Sequence, residues 1–305
     1  MTGNGATRIL LTGGTGFFGK SILSMRQRGR TPETDLSILA RTPEAFRGAF
    51  PSLVSGVTFY PGDVRGFAFP DAEFDAVIHA AAPARTGLPP GEMRSIILEG
   101  TRRVLDFARE RRVKRLLFVS SGAVYGPLDP AAGPVAEDRP RRPTDEYGKA
   151  KLEAERMCLD SGMDAVIARC FAFTGPYLAR NIHFAIGNFI GDALAKRPIT
   201  IRGDGSPVRS YLYADDLVDW LFALLFRGEP GEAYNVGSAR AVTLAELARL
   251  VTRELNPGGE VRVLNQDAGP GRSYYVPDVS LAERRCGVSA SVPLAEAIRR
   301  SAAKA

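Results

Sequence analysis

The sequence predicts an α/β protein: a doubly wound parallel sheet in the first half, followed by a smaller α/β C-terminal unit. Three observations carry this. Short apolar runs rich in strand formers alternate with amphipathic helical stretches, the pattern of parallel strands joined by crossover helices. Glycines at Gly13, Gly16 and Gly19 fall between the first such run and the first helix. The run Leu116–Val119 stops abruptly in Ser120-Ser121-Gly122. That places two hydroxyls at the carboxyl end of a buried strand, the edge where open α/β sheets bind ligands.

Composition agrees with a globular chain. The protein has 305 residues, 45% of them hydrophobic and with no long apolar tract, so one large domain or two unequal ones are expected and no membrane span is. The opening MTGNGATR lacks an apolar core and runs straight into ILLTGG, so a cytoplasmic protein is expected. Cys158, Cys170 and Cys286 are scattered, and only His79 and His183 accompany them, which predicts neither disulfides nor a metal site. The net charge of +6 is spread along the chain rather than clustered with aromatics, so phosphate-bearing small molecules are expected as partners and nucleic acid is not.

Element by element, RILLTGG, DLSILA, VTFYPGD, FDAVIHAAA, RLLFVSS and DAVIARC read as strands. GTRRVLDFARERR and YGKAKLEAERMCLDSG read as helices between the later ones. The rhythm breaks after Cys170, which predicts a dinucleotide-binding domain over residues 1–175 and a substrate domain over 176–305. The helix ADDLVDWLFALLF and the strand EAYNVGS in the second part are candidates to pack back on the first. Residues Pro127 to Glu146 form a long Pro-rich loop over the ligand-binding edge, expected to act as a lid or a substrate contact.

The glycines have separate tasks: Gly13 for a tight turn, Gly16 for close approach of a pyrophosphate to backbone amides, Gly19 for close packing of helix on sheet. This is the Rossmann-like arrangement, and Thr15, Phe17 and Phe18 complete the loop. A carboxylate about 20 residues further on would hold the ribose of NAD. The second strand instead ends in Ala40-Arg41-Thr42. Arg41 can pair with a 2′-phosphate, so NADP is favoured over NAD, with Glu44 as the alternative ribose ligand.

The G-x-x-G-x-x-G spacing resembles the short-chain dehydrogenase/reductase superfamily. By that resemblance Asp63 in PGDVR would bond the adenine amino group beside Val64, and Ala80 and Ala81 of VIHAAA would line the cofactor. Downstream, YGKAK places Tyr147 and Lys151 four apart on one helical face. A phenol is a poor base at neutral pH, but a neighbouring ammonium and a positive nicotinamide favour its phenolate. Tyr147 is therefore the expected acid/base, Lys151 its charge partner and ribose ligand, and Ser121 the group that orients the reacting oxygen.

With VIHAAA and GTRRVLDFA, these residues make the chain resemble an extended short-chain dehydrogenase/reductase of the nucleotide-sugar epimerase/dehydratase group. The resemblance implies a homodimer acting on a nucleoside-diphosphate sugar. It places Arg209 of GDGSPVRSYLYADDL and Arg272 of GPGRSYYVPD on the diphosphate, and Ala123, Asn181 and Phe189 against phosphate, sugar or base. Dehydratases of the group carry Asp-Glu after the serine or threonine. Gly122 and Ala123 stand there in this chain, and Ile97 and Ala172 replace two common asparagines. The expected reaction is accordingly 4-epimerisation by hydride transfer at C4, with an NADPH-dependent 4-ketoreductase as the alternative. A dehydratase with an atypical acid taken from Glu137, Asp138, Asp145 or Glu146, or a non-catalytic dinucleotide-binding module, is a lesser expectation.

Overall fold

The computed structural model describes residues 6–82, 88–182, 184–265 and 273–303. In chain order its elements are β1 (Thr7–Thr12), α1 (Phe17–Gln27), β2 (Thr34–Ala40), α2 (Pro43–Ala49), β3 (Thr58–Pro61), β4 (Ala76–His79), α3 (Pro90–Glu110), β5 (Arg115–Ser121), α4 (Glu146–Leu159) and β6 (Asp164–Cys170). They continue with β7 (Phe173–Thr174), α5 (Ala185–Leu194), β8 (Ile199–Ile201), β9 (Val208–Arg209), β10 (Leu212–Tyr213), α6 (Ala214–Arg227) and β11 (Ala233–Val236). The chain ends with β12 (Val242–Thr243), α7 (Leu244–Leu255), β13 (Val261–Val263), β14 (Tyr274–Tyr275), α8 (Ser280–Cys286) and α9 (Leu294–Ala302).

Seven strands form one sheet in the order β11-β6-β5-β4-β1-β2-β3, every neighbouring pair parallel. Successive strand side chains point to opposite faces, so each strand feeds two cores. Leu117 and Val119 join the layer formed by α1, α2, α6 and α8, whereas Leu116 and Phe118 join the layer of α3 and α4. Chain order reverses between β1 and β4, which opens a crevice at their carboxyl ends.

A cut near residue 176 does not separate contiguous layers, because β11 completes the parallel sheet and α6 and α8 cover one of its faces. Burial of Arg115 explains part of that docking: its guanidinium donates to the carbonyls of Leu225 at 2.8 Å and of Gly228, satisfying the C-terminal end of α6. A separate core is built from α5, α7 and α9, beside the short sheets β12-β9-β14 and β13-β8. Helix α3 begins ten residues before the sequence reading at Gly100, since Pro90 at its first turn lacks only an amide that has no helical partner there.

The Pro-rich segment is packed rather than loose. Val135 is buried and pairs with the C-terminal segment, donating to Val276 O at 3.0 Å and accepting from Asp278 N at 2.8 Å. Among the described residues no helix is long and apolar enough to cross a membrane, and the three cysteines are free and buried.

Candidate active site

The phosphate cradle is built from absence of side chains. Gly13 has φ +75°, and a Cβ there would lie 2.6 Å from the Ala80 carbonyl, so this turn excludes any other residue. A Cβ on Gly19 would stand 2.1 Å from Gly14 O, which lets α1 lie against the turn. At Gly16 the same test meets only Gly13 O at 3.3 Å, leaving the space above it open. Gly16 caps α1 with no side-chain hydrogen bond, and no acid lies in the first turn, so the amides there suit an anion. Thr15 is exposed at this turn, whereas Phe17 and Phe18 pack on Phe173. These residues fit a dinucleotide pyrophosphate.

The flanking strands frame the rest of a cofactor. Ala80 and Ala81 leave β4 hydrogen-bonded to Thr12, through its carbonyl and its hydroxyl at 3.2 Å each. Buried His79 spans Thr12 at 2.7 Å and Thr101 at 3.1 Å, and burial lowers its pKa to about 3, so it is a neutral strut. Arg41 is exposed at the end of β2 with no carboxylate beside it on the strand. Glu44, the alternative ribose ligand, is paired with Arg47 at 2.5 Å. The Asp63 carboxylate is held by Arg65 at 2.8 Å and stays ionised for that reason, while Val64 leans into the space left by Gly100.

The structure brings Ser121, Tyr147 and Lys151 together. A Cβ on Gly148 would meet the Ala123 carbonyl at 2.6 Å, so α4 descends on the turn after β5 and carries Tyr147 to Ser121. Asp145 fixes the start of that helix by accepting from Gly148 N at 2.7 Å. Tyr147 lies beside Ser121, whose oxygen accepts the Ala123 amide at 3.1 Å. Lys151 is 2% exposed, donates to Val119 O at 2.9 Å and lies 5.9 Å from the Tyr147 ring centre. Burial dominates both groups, raising the phenol to about 12 and lowering the ammonium to about 8. In the protein alone the Lys151 ammonium does not offset this effect on the phenol.

The substrate-side residues divide. Arg209 is turned onto β14, donating to Ser273 O at 3.1 Å and Ser273 Oγ at 2.9 Å, close to the active edge. Arg272 lies outside the described residues. Asn181 is exposed in the turn before α5, but Phe189 is 6% exposed inside the α5–α7–α9 core, where it packs against aliphatic side chains instead of facing a ligand. Ala123 contributes its amide to Ser121.

Two aromatic residues that sequence reasoning passed over complete the site. Tyr275 also lies beside Ser121, and its ring packs on Phe171 with centres 4.6 Å apart. No local pattern marks Tyr275; the pairing of β14 with β9 brings it in, three residues after the flagged Arg272. Both rings close over Gly122, whose Cβ would lie 2.7 Å from Tyr275 Oη and 2.8 Å from Phe171 Cζ. Three of the four candidate acids from the Pro-rich segment are committed elsewhere. Glu137 accepts Asn235 N at 2.8 Å, Asp145 caps α4, and Glu146 pairs with Lys149 at 2.8 Å; Asp138 is exposed. Among the described residues no cluster of His, Cys, Asp or Glu could hold a metal.

Comparison with known proteins agrees with this geometry. The model of the NAD dependent epimerase/dehydratase family matches residues 9–237. UDP-glucuronic acid decarboxylase 1 of Xenopus tropicalis is 31% identical over 75% of this chain, a match that spans 56% of that relative's length. A dTDP-glucose 4,6-dehydratase of Streptomyces antibioticus is 28% identical over 96% of this chain and 90% of its own. Among solved structures, a UDP-glucose 4-epimerase of Thermotoga maritima with UDP-glucose superimposes with a TM-score of 0.83, at 22% identity and 97% coverage of both chains. The family match runs from the first strand of the glycine turn through the last strand of the parallel sheet, and so includes Ser121, Tyr147 and Lys151. The chain is thus an enzyme of the NAD dependent epimerase/dehydratase family, whose members modify nucleotide sugars.

Proposed function

We propose that the chain is a nucleotide-sugar 4-epimerase, acting by reversible hydride transfer at C4 of a nucleoside-diphosphate hexose. The observation that carries this reading is the closed space at Gly122. Expelling a C6 hydroxyl needs a proton donor within about 3 Å of the leaving oxygen. No acidic side chain fits at Gly122 beneath Tyr275 and Phe171, and the nearby loop carboxylates Glu137, Asp145 and Glu146 are engaged. Among the described residues Asp138 is the one of the four candidates without such a partner, and it is exposed; the groups gathered at the site itself are a phenol, a hydroxyl and an ammonium.

A bound nicotinamide supplies the hydride acceptor and donor. Tyr147 as phenolate takes the C4 hydroxyl proton and later returns it, and Ser121 orients that oxygen. Lys151, anchored on Val119 O, places positive charge near the phenol and holds the cofactor ribose. The open face of Gly16 and the uncapped start of α1 receive the pyrophosphate.

The test is to incubate UDP-, dTDP-, GDP- and CDP-hexoses and UDP-glucuronic acid with enzyme and cofactor, then follow product mass and C4 configuration. An isomer of unchanged mass is expected. Loss of water or of carbon dioxide as the main outcome overturns the reading.

A second reading, an NADPH-dependent 4-ketoreductase, draws on Arg41, exposed at the end of β2 while Glu44 is tied to Arg47. In that case a 4-keto sugar gains two hydrogens. Either way NADP(H) should bind more tightly than NAD(H), and Arg41→Ala should remove about 10- to 100-fold of preference, the worth of one charge-assisted contact. Calorimetric dissociation constants for both dinucleotides decide it; equal values in the unmutated protein refute the preference.

A further inference from the structure

Helix α4 carries Tyr147, Lys151 and Glu155 four residues apart, so the three form one stripe along it. The reaction as derived so far uses only the first two. Glu155 is 1% exposed, and it is gripped from two neighbouring strands. Ser120 and Arg169 are register partners on β5 and β6, so their side chains leave the sheet on one face. Ser120 Oγ donates to Glu155 Oε1 at 2.5 Å, and Arg169 donates to both carboxylate oxygens, from Nε at 3.1 Å and from Nη2 at 3.0 Å. The guanidinium is itself fixed, because its Nη1 donates to Tyr125 Oη at 3.0 Å and to the Glu137 carbonyl at 3.1 Å. Burying such a pair costs desolvation, and apolar residues of similar volume commonly hold a fold as well or better. Stability alone therefore does not account for it.

The remainder of the helix face shows what the grip supplies. Ala150, Ala154 and Cys158 pack on Leu116, Phe118, Ala165 and Ile167. Their burial is non-directional, and small side chains offer little relief against sliding of the helix along its axis. Lys151 ties α4 to Val119 O at 2.9 Å, but a lysine stem is flexible. A carboxylate held from two strands is not: hydrogen bonds of this kind keep to about 2.7–3.2 Å, so a shift of about 1 Å breaks at least one. We propose that Glu155 is a positioning residue, which through Ser120 and Arg169 fixes the axial position of α4 on β5 and β6 and thereby sets where Tyr147 and Lys151 stand at the active edge. The proposal rests on the reading of Tyr147 as acid/base. It leaves the Ser121 hydroxyl to the sugar oxygen, since the bond to Glu155 is made by Ser120.

The test uses the full chain saturated with NAD+ and carrying tyrosine labelled with carbon-13 at Cζ, whose signal moves when its phenol ionises. Tyr147→Phe assigns the signal. Ser120→Ala removes one bond to Glu155 without changing any charge, and Glu155 keeps Arg169. Lys151, Asp145 and Cys170, which face the phenol, are likewise unaltered, so a change in its titration reports displacement. The Tyr147 midpoint should rise by about 0.5 pH unit, the effect of moving a charge pair from about 4 to about 5 Å apart, which is a roughly threefold smaller ionised fraction at a fixed pH below it. The double variant Glu155→Leu, Arg169→Met removes both charges together and should raise the midpoint in the same way. A purely structural role predicts altered urea unfolding with an unaltered titration. An unaltered Tyr147 titration in either variant overturns the proposal, whatever its unfolding midpoint. With a nucleotide sugar that the unmutated chain converts, Ser120→Ala should lower kcat about 10- to 100-fold while KM stays within about twofold, because misplacement by about 1 Å acts on the reacting geometry. A raised KM at unchanged kcat also overturns the proposal. The titrations need no sugar, so absence of any nucleotide-sugar turnover defeats the proposed function and leaves the positioning role measurable.

Discussion

Burial of Lys151 and partial burial of Tyr147 disfavour both charges, which raises the phenol to about 12 and lowers the ammonium to about 8 in the protein alone. Each is therefore neutral more readily than in water. On the proposed function, a positive ring bound beside the phenol would reverse that preference for Tyr147. Tyr147→Phe should lower turnover by about two to four orders of magnitude, the span expected for a positioned acid/base, with dinucleotide affinity unchanged. Lys151→Ala should weaken both, since a single ammonium serves ribose and phenolate. Steady-state kinetics beside calorimetric binding separates the two outcomes. The YxxxK spacing made this pair legible from sequence because one helical turn brings such residues to one face whatever surrounds them. Phe189 shows the opposite case. An apolar residue at a helix position is equally suited to a base contact and to a core, and burial against Ile186, Leu247 and Ile298 decided for the core.

At the scale of an element, the turn from β1 to α1 is specified almost wholly by local covalent geometry. Gly13 combines a left-handed backbone with a 2.6 Å approach to Ala80, two demands that only glycine meets. Gly13→Ala should destabilise the fold by roughly 1–3 kcal/mol and weaken dinucleotide binding at the same time. Urea unfolding and calorimetry should register both losses, and a fully stable variant with intact binding would contradict the fit. Most of the strands from β1 to β6 were readable because central parallel strands, covered on both faces, run nearly continuously apolar. Less readable were elements whose partners are distant. The start of α3 lies under Pro89-Pro90, residues that look like a loop until the helix behind them is known. The Pro-rich segment reads as a lid from composition, but Val135, bonded to Val276 and Asp278, makes it part of the wall.

The whole molecule is tied together behind the active edge by a buried polar network that no stretch of sequence announces. Arg169 of β6 donates to Glu155 of α4 at 3.0 Å, to Tyr125 at 3.0 Å and to the Glu137 carbonyl at 3.1 Å. Glu155 accepts Ser120 at 2.5 Å, next to Ser121, and Tyr125 donates to Asn235 of β11 at 2.8 Å. Tyr125, Glu137 and Glu155 thus converge on one guanidinium, and Ser120 and Asn235 extend the network from them. Arg169→Met should cost about 3–5 kcal/mol, because it strands the Glu155 carboxylate with little compensation in a site 1–2% exposed. Chemical denaturation checks this, and a loss under about 1 kcal/mol would show that the network does not tie the molecule together. By itself the sequence determined the α/β class, the parallel sheet, the glycine cradle and the Ser121, Tyr147, Lys151 set, since each follows from periodicity or from the reach of a few neighbouring residues. Only the tertiary structure decided that α6, β11 and α8 belong to the sheet layers, that Glu137 is held away from the sugar side, and that Tyr275 closes over Gly122. Those outcomes depend on contacts between residues about 100 or more positions apart, which hydrogen-bond completion and close packing select and local pattern does not encode.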